Sequence, residues 1–104
     1  MAKAEILAGA CGFSTSVEAI QDGKMVNLKI TSDCASIQRL AQELTQVNPY
    51  EEISFRKAVP QSLALGMKHC AHPACPVPVG IIKAIEVEAK LALPVDVNIH
   101  IEIE

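Results

Sequence analysis

The stretch STSVEAIQDGKMVNLKIT, residues 14–31, decides the fold. Thr15, Val17 and Ala19 share one face of an extended chain. Beyond Asp22-Gly23, the residues Val26, Leu28 and Ile30 alternate with Asn27, Lys29 and Thr31. Alternation at a period of two is the pattern of a strand with one face in a core. Asp-Gly between two such runs is a hairpin signal, because both residue types tolerate positive φ. The spacing therefore predicts a β-hairpin with one apolar face.

Outward from the hairpin, Lys3–Ala8 reads as a short strand that ends at Gly9, and Cys11-Gly12 as a loop. Downstream, Ser32-Asp33 offers an N-cap for a helix reaching to about Val47. Ile37, Leu40, Ala41, Leu44 and Val47 fall at helical spacing, and Asn48-Pro49 stops them. Tyr50–Val59 reads as either a short strand or a packed loop, and Gln61–Lys68 as a short helix. Pro73, Pro76 and Pro78 exclude regular structure from the segment after it. Pro78 suits the first turn of a helix from about Val79 to Leu91. After Pro94, the residues Val95, Val97, Ile99, Ile101 and Ile103 alternate strictly with Asp96, Asn98, His100, Glu102 and Glu104, which predicts a last strand. The order β-β-β-α-(β or loop)-α-α-β is that of an α+β fold, a mainly antiparallel sheet with helices on one face.

With 104 residues the chain suits one domain, residues 1–104, burying roughly two thirds of its unfolded surface. The only aromatics are Phe13, Tyr50 and Phe55, so the core must be aliphatic. A net charge of -3 without a basic run excludes a nucleic-acid surface. No apolar run is long enough to span a bilayer. Ile6–Ala10 is too short for a signal sequence, so the expected compartment is cytoplasmic. Thiols stay reduced there, and cysteines are more often ligands or nucleophiles than disulfides.

Each of the four cysteines lies at the end of an element. Cys11 follows the first strand, and Cys34 lies in the first turn of its helix. Cys70 and Cys75 bracket the proline-rich loop. A helix N-terminus carries partial positive charge and favours a thiolate, the form that binds metal or attacks a substrate. Cys34 is placed to feel this, and Cys75 lies just before the next such terminus. His69 and His72 add two nitrogen donors nearby. Buried cysteine is often only a small hydrophobe. Four at element ends, two of them beside histidines, favour a shared metal or cluster site, although Cys-x4-Cys alone is not diagnostic of zinc. There is no Ser-His-Asp order and no glycine-rich phosphate loop, so no catalytic residue is assigned.

These pieces resemble the NifU/IscU-type iron–sulfur cluster scaffold. Gly9-Ala10-Cys11-Gly12 before a hairpin resembles that family's first ligand segment, Ala-Cys-Gly-Asp. Ser32-Asp33-Cys34-Ala35 opens a helix, as the second ligand cysteine does. Lys68-His69-Cys70, followed by Ile81-Ile82-Lys83-Ala84-Ile85, resembles the family's His-Cys and its Ile-Lys-Ala-Ala-Ile helix. The resemblance implies a two-layer SufE/NifU-like sandwich, with Cys11, Cys34 and Cys70 as ligands and His69 able to complete the set. It further implies an iron–sulfur cluster or zinc as the cofactor, and a cysteine desulfurase or an acceptor apoprotein as the partner. The aspartate after the family's Cys-Gly is Phe13 here, the chaperone-recognition segment is absent, and Cys75 is extra. A hydrophobe for the aspartate and an added thiol favour stable binding over transfer.

The expected function is thus metal or iron–sulfur binding by Cys11, Cys34, Cys70 and Cys75, with His69 as a substitute ligand, in a carrier or assembly role rather than an enzymatic one. Two alternatives stand beside it. One is a sulfur-relay or thiol-redox protein with a low-pKa cysteine, Cys34 or Cys70. The other is a structural zinc-binding interaction module, monomeric or homodimeric, whose Val95–Ile103 strand pairs with its counterpart in another subunit.

Overall fold

A computed structural model describes the whole chain, Met1–Glu104. The alternating segments become β1 (Ala2–Leu7), β2 (Ser14–Asp22) and β3 (Met25–Ser32), joined as successive antiparallel pairs. A two-residue strand, β4 (Gln46–Val47), pairs antiparallel with β3, so the sheet has four strands in the order β1-β2-β3-β4. The helices are α1 (Ala35–Glu43), α2 (Pro49–Glu52), α3 (Gln61–His69) and α4 (Val77–Glu88). The α+β class and the antiparallel sheet with helices packed on it are as the patterning predicts.

Several boundaries move: α1 has Cys34 rather than Ser32-Asp33 at its N-cap, and α4 starts at Val77 and ends at Glu88 instead of running from about Val79 to Leu91. Asp22 pairs with Met25, so the hairpin loop is Gly23-Lys24 rather than Asp22-Gly23. Gly23 has a φ of +61°, as the first central residue of a type II′ turn requires. The first helix stops at Glu43 instead of reaching Val47. Sheet pairing outcompetes the last helical turn: Val47 lies opposite Val26, Leu28 N–H donates to the Thr45 carbonyl (2.9 Å), and Gln46 Nε2 donates to Asn27 Oδ1 (2.8 Å). Val47 is buried as helical spacing predicted, but from a strand. Tyr50–Val59 splits into the short α2, capped by Asn48 Oδ1 accepting from Tyr50 N–H (3.0 Å), and an exposed loop carrying Phe55.

The largest correction is at the C-terminus. Val95–Ile103 forms no strand and pairs with nothing in the chain. Alternation specifies a strand that has one face to bury; it does not supply a neighbour, and here no strand of the same chain pairs with it.

The core is one aliphatic layer between sheet and helices. Val17, Ala19, Val26 and Leu28 face Ile37, Leu40, Leu44, Val77, Ile81, Ala84 and Ile85. All three aromatics are exposed. The layers come close at two glycines. A Cβ on Gly80 would meet Ile6 Cδ1 at 2.3 Å, so α4 lies tightly on β1, and one on Gly66 would meet Pro78 Cγ at 2.8 Å, so α3 lies tightly on α4. No helix is long and apolar enough to cross a membrane.

A buried carboxylate anchors α3. Glu52 is 2% exposed and accepts from Gln61 N–H (2.9 Å), Ser62 N–H (2.9 Å) and Ser62 Oγ (2.6 Å). A carboxylate at a helix N-terminus satisfies otherwise orphaned donors and the dipole together. Glu52→Ala strands these buried donors, at a cost of about 2–4 kcal/mol. Urea unfolding should show that loss, whereas Glu51→Ala, on the exposed side of α2, should leave the midpoint nearly unchanged.

Candidate functional site

The cysteines are positioned by the places where elements end. Cys34 is the N-cap of α1, at the junction with β3. Ser32 fixes that junction: its Oγ accepts from Cys34 N–H (3.1 Å) and from Thr15 Oγ1 (2.8 Å). Cys70 is the C-cap of α3, its N–H donating to the Gly66 carbonyl (2.9 Å). Cys75 closes a turn by donating its N–H to the His72 carbonyl (3.2 Å), and α4 begins two residues later. Because α3 and α4 touch at Gly66 and Pro78, the 70–76 loop joining them is held beside the core.

Three thiols converge there. Cys34, Cys70 and Cys75 are all half-buried against the core. Burial pushes the Cys70 thiol up to about 11; Cys75 adds to this by charge and hydrogen bonding, and Cys34 by charge. A proton is retained where a second thiolate would be poorly solvated and repelled. This corrects the expectation for Cys70, because a reactive low-pKa thiol needs the opposite shift.

Cys11 stands apart. It is exposed, in the turn between β1 and β2 where Gly9 and Gly12 take φ values of +86° and +75°. The turn lies at the same end of the sheet as the other three. Leu7 pairs with Ser14, and Asp33 N–H donates to the Ser14 carbonyl (3.4 Å), which brings the Cys34 junction to that edge. Gly80, in the first turns of α4, sits over Ile6 at the same end. Topology thus gathers all four cysteines at one end of the domain and packs three of them together.

His69 ends α3, mostly buried, and its Nε2 is held by Glu43 at the end of α1. Lys68 Nζ also reaches Glu43 (3.0 Å). Hydrogen bonds first from His69 and then from Lys68 hold the Glu43 carboxyl below its usual range. Glu43 ties α1 to α3 behind Cys70, and sequence reasoning missed it. Helical periodicity puts it on a solvent face, and nothing local signals a partner 26 residues away. His72 is exposed in the loop.

As donors, three thiols suit a thiophilic ion such as zinc or copper(I), or iron in a cluster. As they stand, no three or more Cys, His, Asp or Glu side chains are already in metal-holding geometry. What is present is three half-buried thiols near one another, Cys75 within hydrogen-bonding reach of Cys70 and Cys34 close enough to act on it by charge, with Cys11 on a glycine-flanked turn and His69 next to Cys70 in the chain.

A family model described as "Family of unknown function (DUF6951)" matches residues 2–101. No curated protein and no solved structure matches the chain.

The raised Cys70 pKa has a consequence for stability. The thiol ordinarily ionises at 9.0, and in the folded chain at about 11. Between these values the folded state keeps a proton that the unfolded chain has released, so stability falls as pH rises through this window. Below it both states are protonated and this group adds no slope. The urea midpoint of the native chain should therefore drop more between about pH 9 and pH 11 than that of Cys70→Ala. Parallel profiles would show that Cys70 ionises as an isolated thiol.

Proposed function

The chain belongs to DUF6951, a family of unknown function, and we propose that it is a cysteine-ligated metal or iron–sulfur binding protein. Cys34, Cys70 and Cys75 form the core of the site. One observation carries this reading: the loop between α3 and α4 brings Cys70 and Cys75 beside the Cys34 junction, and there burial first, then the neighbouring thiols, make the Cys70 thiolate unfavourable. A bound soft cation removes that cost, because it displaces the protons and neutralises the thiolates. The fourth position belongs to Cys11 or to Nδ1 of His69. A carboxylate on the far nitrogen of an imidazole, as Glu43 is on His69, is a common support for a ligating histidine. The resemblance to NifU/IscU scaffolds supports Cys11, Cys34 and Cys70 as ligands with His69 able to complete the set, leaving Cys75 as the added thiol, and it supports a cytoplasmic carrier or assembly role with a cysteine desulfurase or acceptor apoprotein as partner.

The second reading is a dithiol–disulfide pair, favoured by the adjacency of Cys70 and Cys75. Their oxidation would release two electrons and two protons to a partner disulfide, reducing it to two thiols. The upward shift at Cys70 makes Cys75 the attacking thiol in that case.

Purification without oxygen, followed by zinc, iron and sulfide analysis and a visible spectrum, tests the leading reading. About one zinc ion or one cluster per chain is expected. Cys34→Ser, Cys70→Ser and Cys75→Ser should each weaken binding at least about tenfold, the scale that even loss of an outer-shell partner produces. Cys11→Ser should weaken it less. A chain that binds neither zinc nor iron more tightly than the triple serine variant does, and whose Cys70–Cys75 pair oxidises reversibly, belongs to the second reading.

A further inference from the structure

The C-terminal segment is a strand without a sheet. Val95, Val97, Ile99, Ile101 and Ile103 are between 58% and 98% exposed, and they alternate with an acidic, polar face. Beyond Leu91 the only backbone hydrogen bond is Val95 N–H to the Leu93 carbonyl (2.9 Å). The segment draws the molecule out to 47 × 27 × 26 Å. It is nonetheless part of the family's domain, since the family model runs through residue 101. A row of branched aliphatics and unpaired backbone groups is a template for pairing with another chain.

The sheet has one edge of matching length. β4 is two residues long, whereas β1 offers six, paired on one side only. Its helix-side residues are Ala2, Ala4 and Ile6; its outer residues are Lys3, Glu5 and Leu7. We propose that Val95–Ile103 adds antiparallel to β1 of a second copy of this chain, with Ile99 opposite Ile6, Ile101 opposite Ala4 and Ile103 opposite Ala2. On the helix side this register sets Ile101 and Ile103 against the small Ala4 and Ala2 and pairs Ile99 with Ile6. On the outer side it sets His100 opposite Glu5 and Glu102 opposite Lys3. Of this register and the two that slip by two residues, it alone sets Glu102 opposite Lys3; one slip puts Glu102 opposite Glu5 and the other moves it to the end of the strand, opposite Met1.

The tail cannot reach its own β1 in this way. α4 runs against β1 from Gly80 over Ile6 to Glu88, which binds the Met1 amino group (3.4 Å) and Gln21 N–H (2.8 Å). The chain therefore leaves α4 at the Met1 end. In the proposed register Ile103 lies at that end, and Pro94 about 30 Å away at the rise of a strand. The six residues from Ala89 to Pro94 span about 20 Å even when fully extended. Lys90, in a left-handed turn with φ +63°, and the bond from Leu91 N–H to the Glu86 carbonyl (2.9 Å) shorten that reach further. Reciprocal exchange between two copies closes a two-fold dimer and covers both β1 edges.

Sedimentation velocity of the full chain across a concentration series tests this, with circular dichroism confirming that each variant is folded. The native chain should dimerise. Ile101→Lys should weaken the dimer at least about tenfold, as expected for placing a charge on a buried strand face. Glu102→Lys should weaken it several-fold by facing Lys3, and Lys3→Glu combined with Glu102→Lys should restore it. A chain that stays monomeric up to about 1 mM overturns the proposal. So does a dimer indifferent to Ile101→Lys, or one that the charge exchange fails to rescue, as expected if two tails pair with each other.

Discussion

The structure depends on how closely α4 can lie on the sheet and on α3. At Gly80 there is room for a hydrogen but not a methyl group beside Ile6, and at Gly66 the ring of Pro78 occupies the space a side chain would take. These approaches bring Ile81, Ala84 and Ile85 down onto Val17 and Ala19, and they let a core built without aromatics exclude water. They also fix the two ends of the loop between α3 and α4. With both ends fixed, the prolines leave that loop few conformations, and Cys70 and Cys75 are delivered to the junction that carries Cys34. The thiol cluster is thus a consequence of helix packing, not of any local motif.

Legibility followed sequence distance. The hairpin of β2 and β3 was readable because its pattern and its turn are both local; only the turn slid by one residue. The end of α1 was not, because Leu44 and Val47 satisfy a helical stripe and a sheet register equally well, and the choice rests on Val26 across the sheet. Each cysteine could be seen to lie at an element end. Which of them meet could not, since Cys34 and Cys70 are brought together by α1 packing on α3. Glu43 and Glu52 were invisible for the same reason: an acidic residue on a helix looks solvated until the element that covers it is known.

The Cys70 thiol shows how two expectations compete. A helix N-terminus favours thiolates, and the reading from sequence gave that effect full weight at Cys34 and Cys75. Around Cys70 burial and the neighbouring thiols dominate, and they act the other way. Clustering sulfur atoms in a half-buried site is unfavourable for every ionised state of the protein alone. The same clustering is favourable once a cation shares their charge, which is why the arrangement speaks for ligation more strongly than for nucleophilic chemistry.

The unpaired C-terminal segment bears on the order in which the parts form. The domain up to Glu88 is complete without it: its core is closed, and no buried side-chain polar atom lacks a partner. Pairing of the segment is therefore an addition to a folded unit and not a condition for folding. An obligate exchanged dimer would leave a hole in the monomer's core where the strand belonged; none of the buried residues comes from beyond Ile85. What the segment would cover is the rim, namely the outer edge of β1 and the half-buried Ala4 and Ile6. Association driven by such a strand scales with concentration, while the stability of each domain is set separately by the packing of α4 on its sheet.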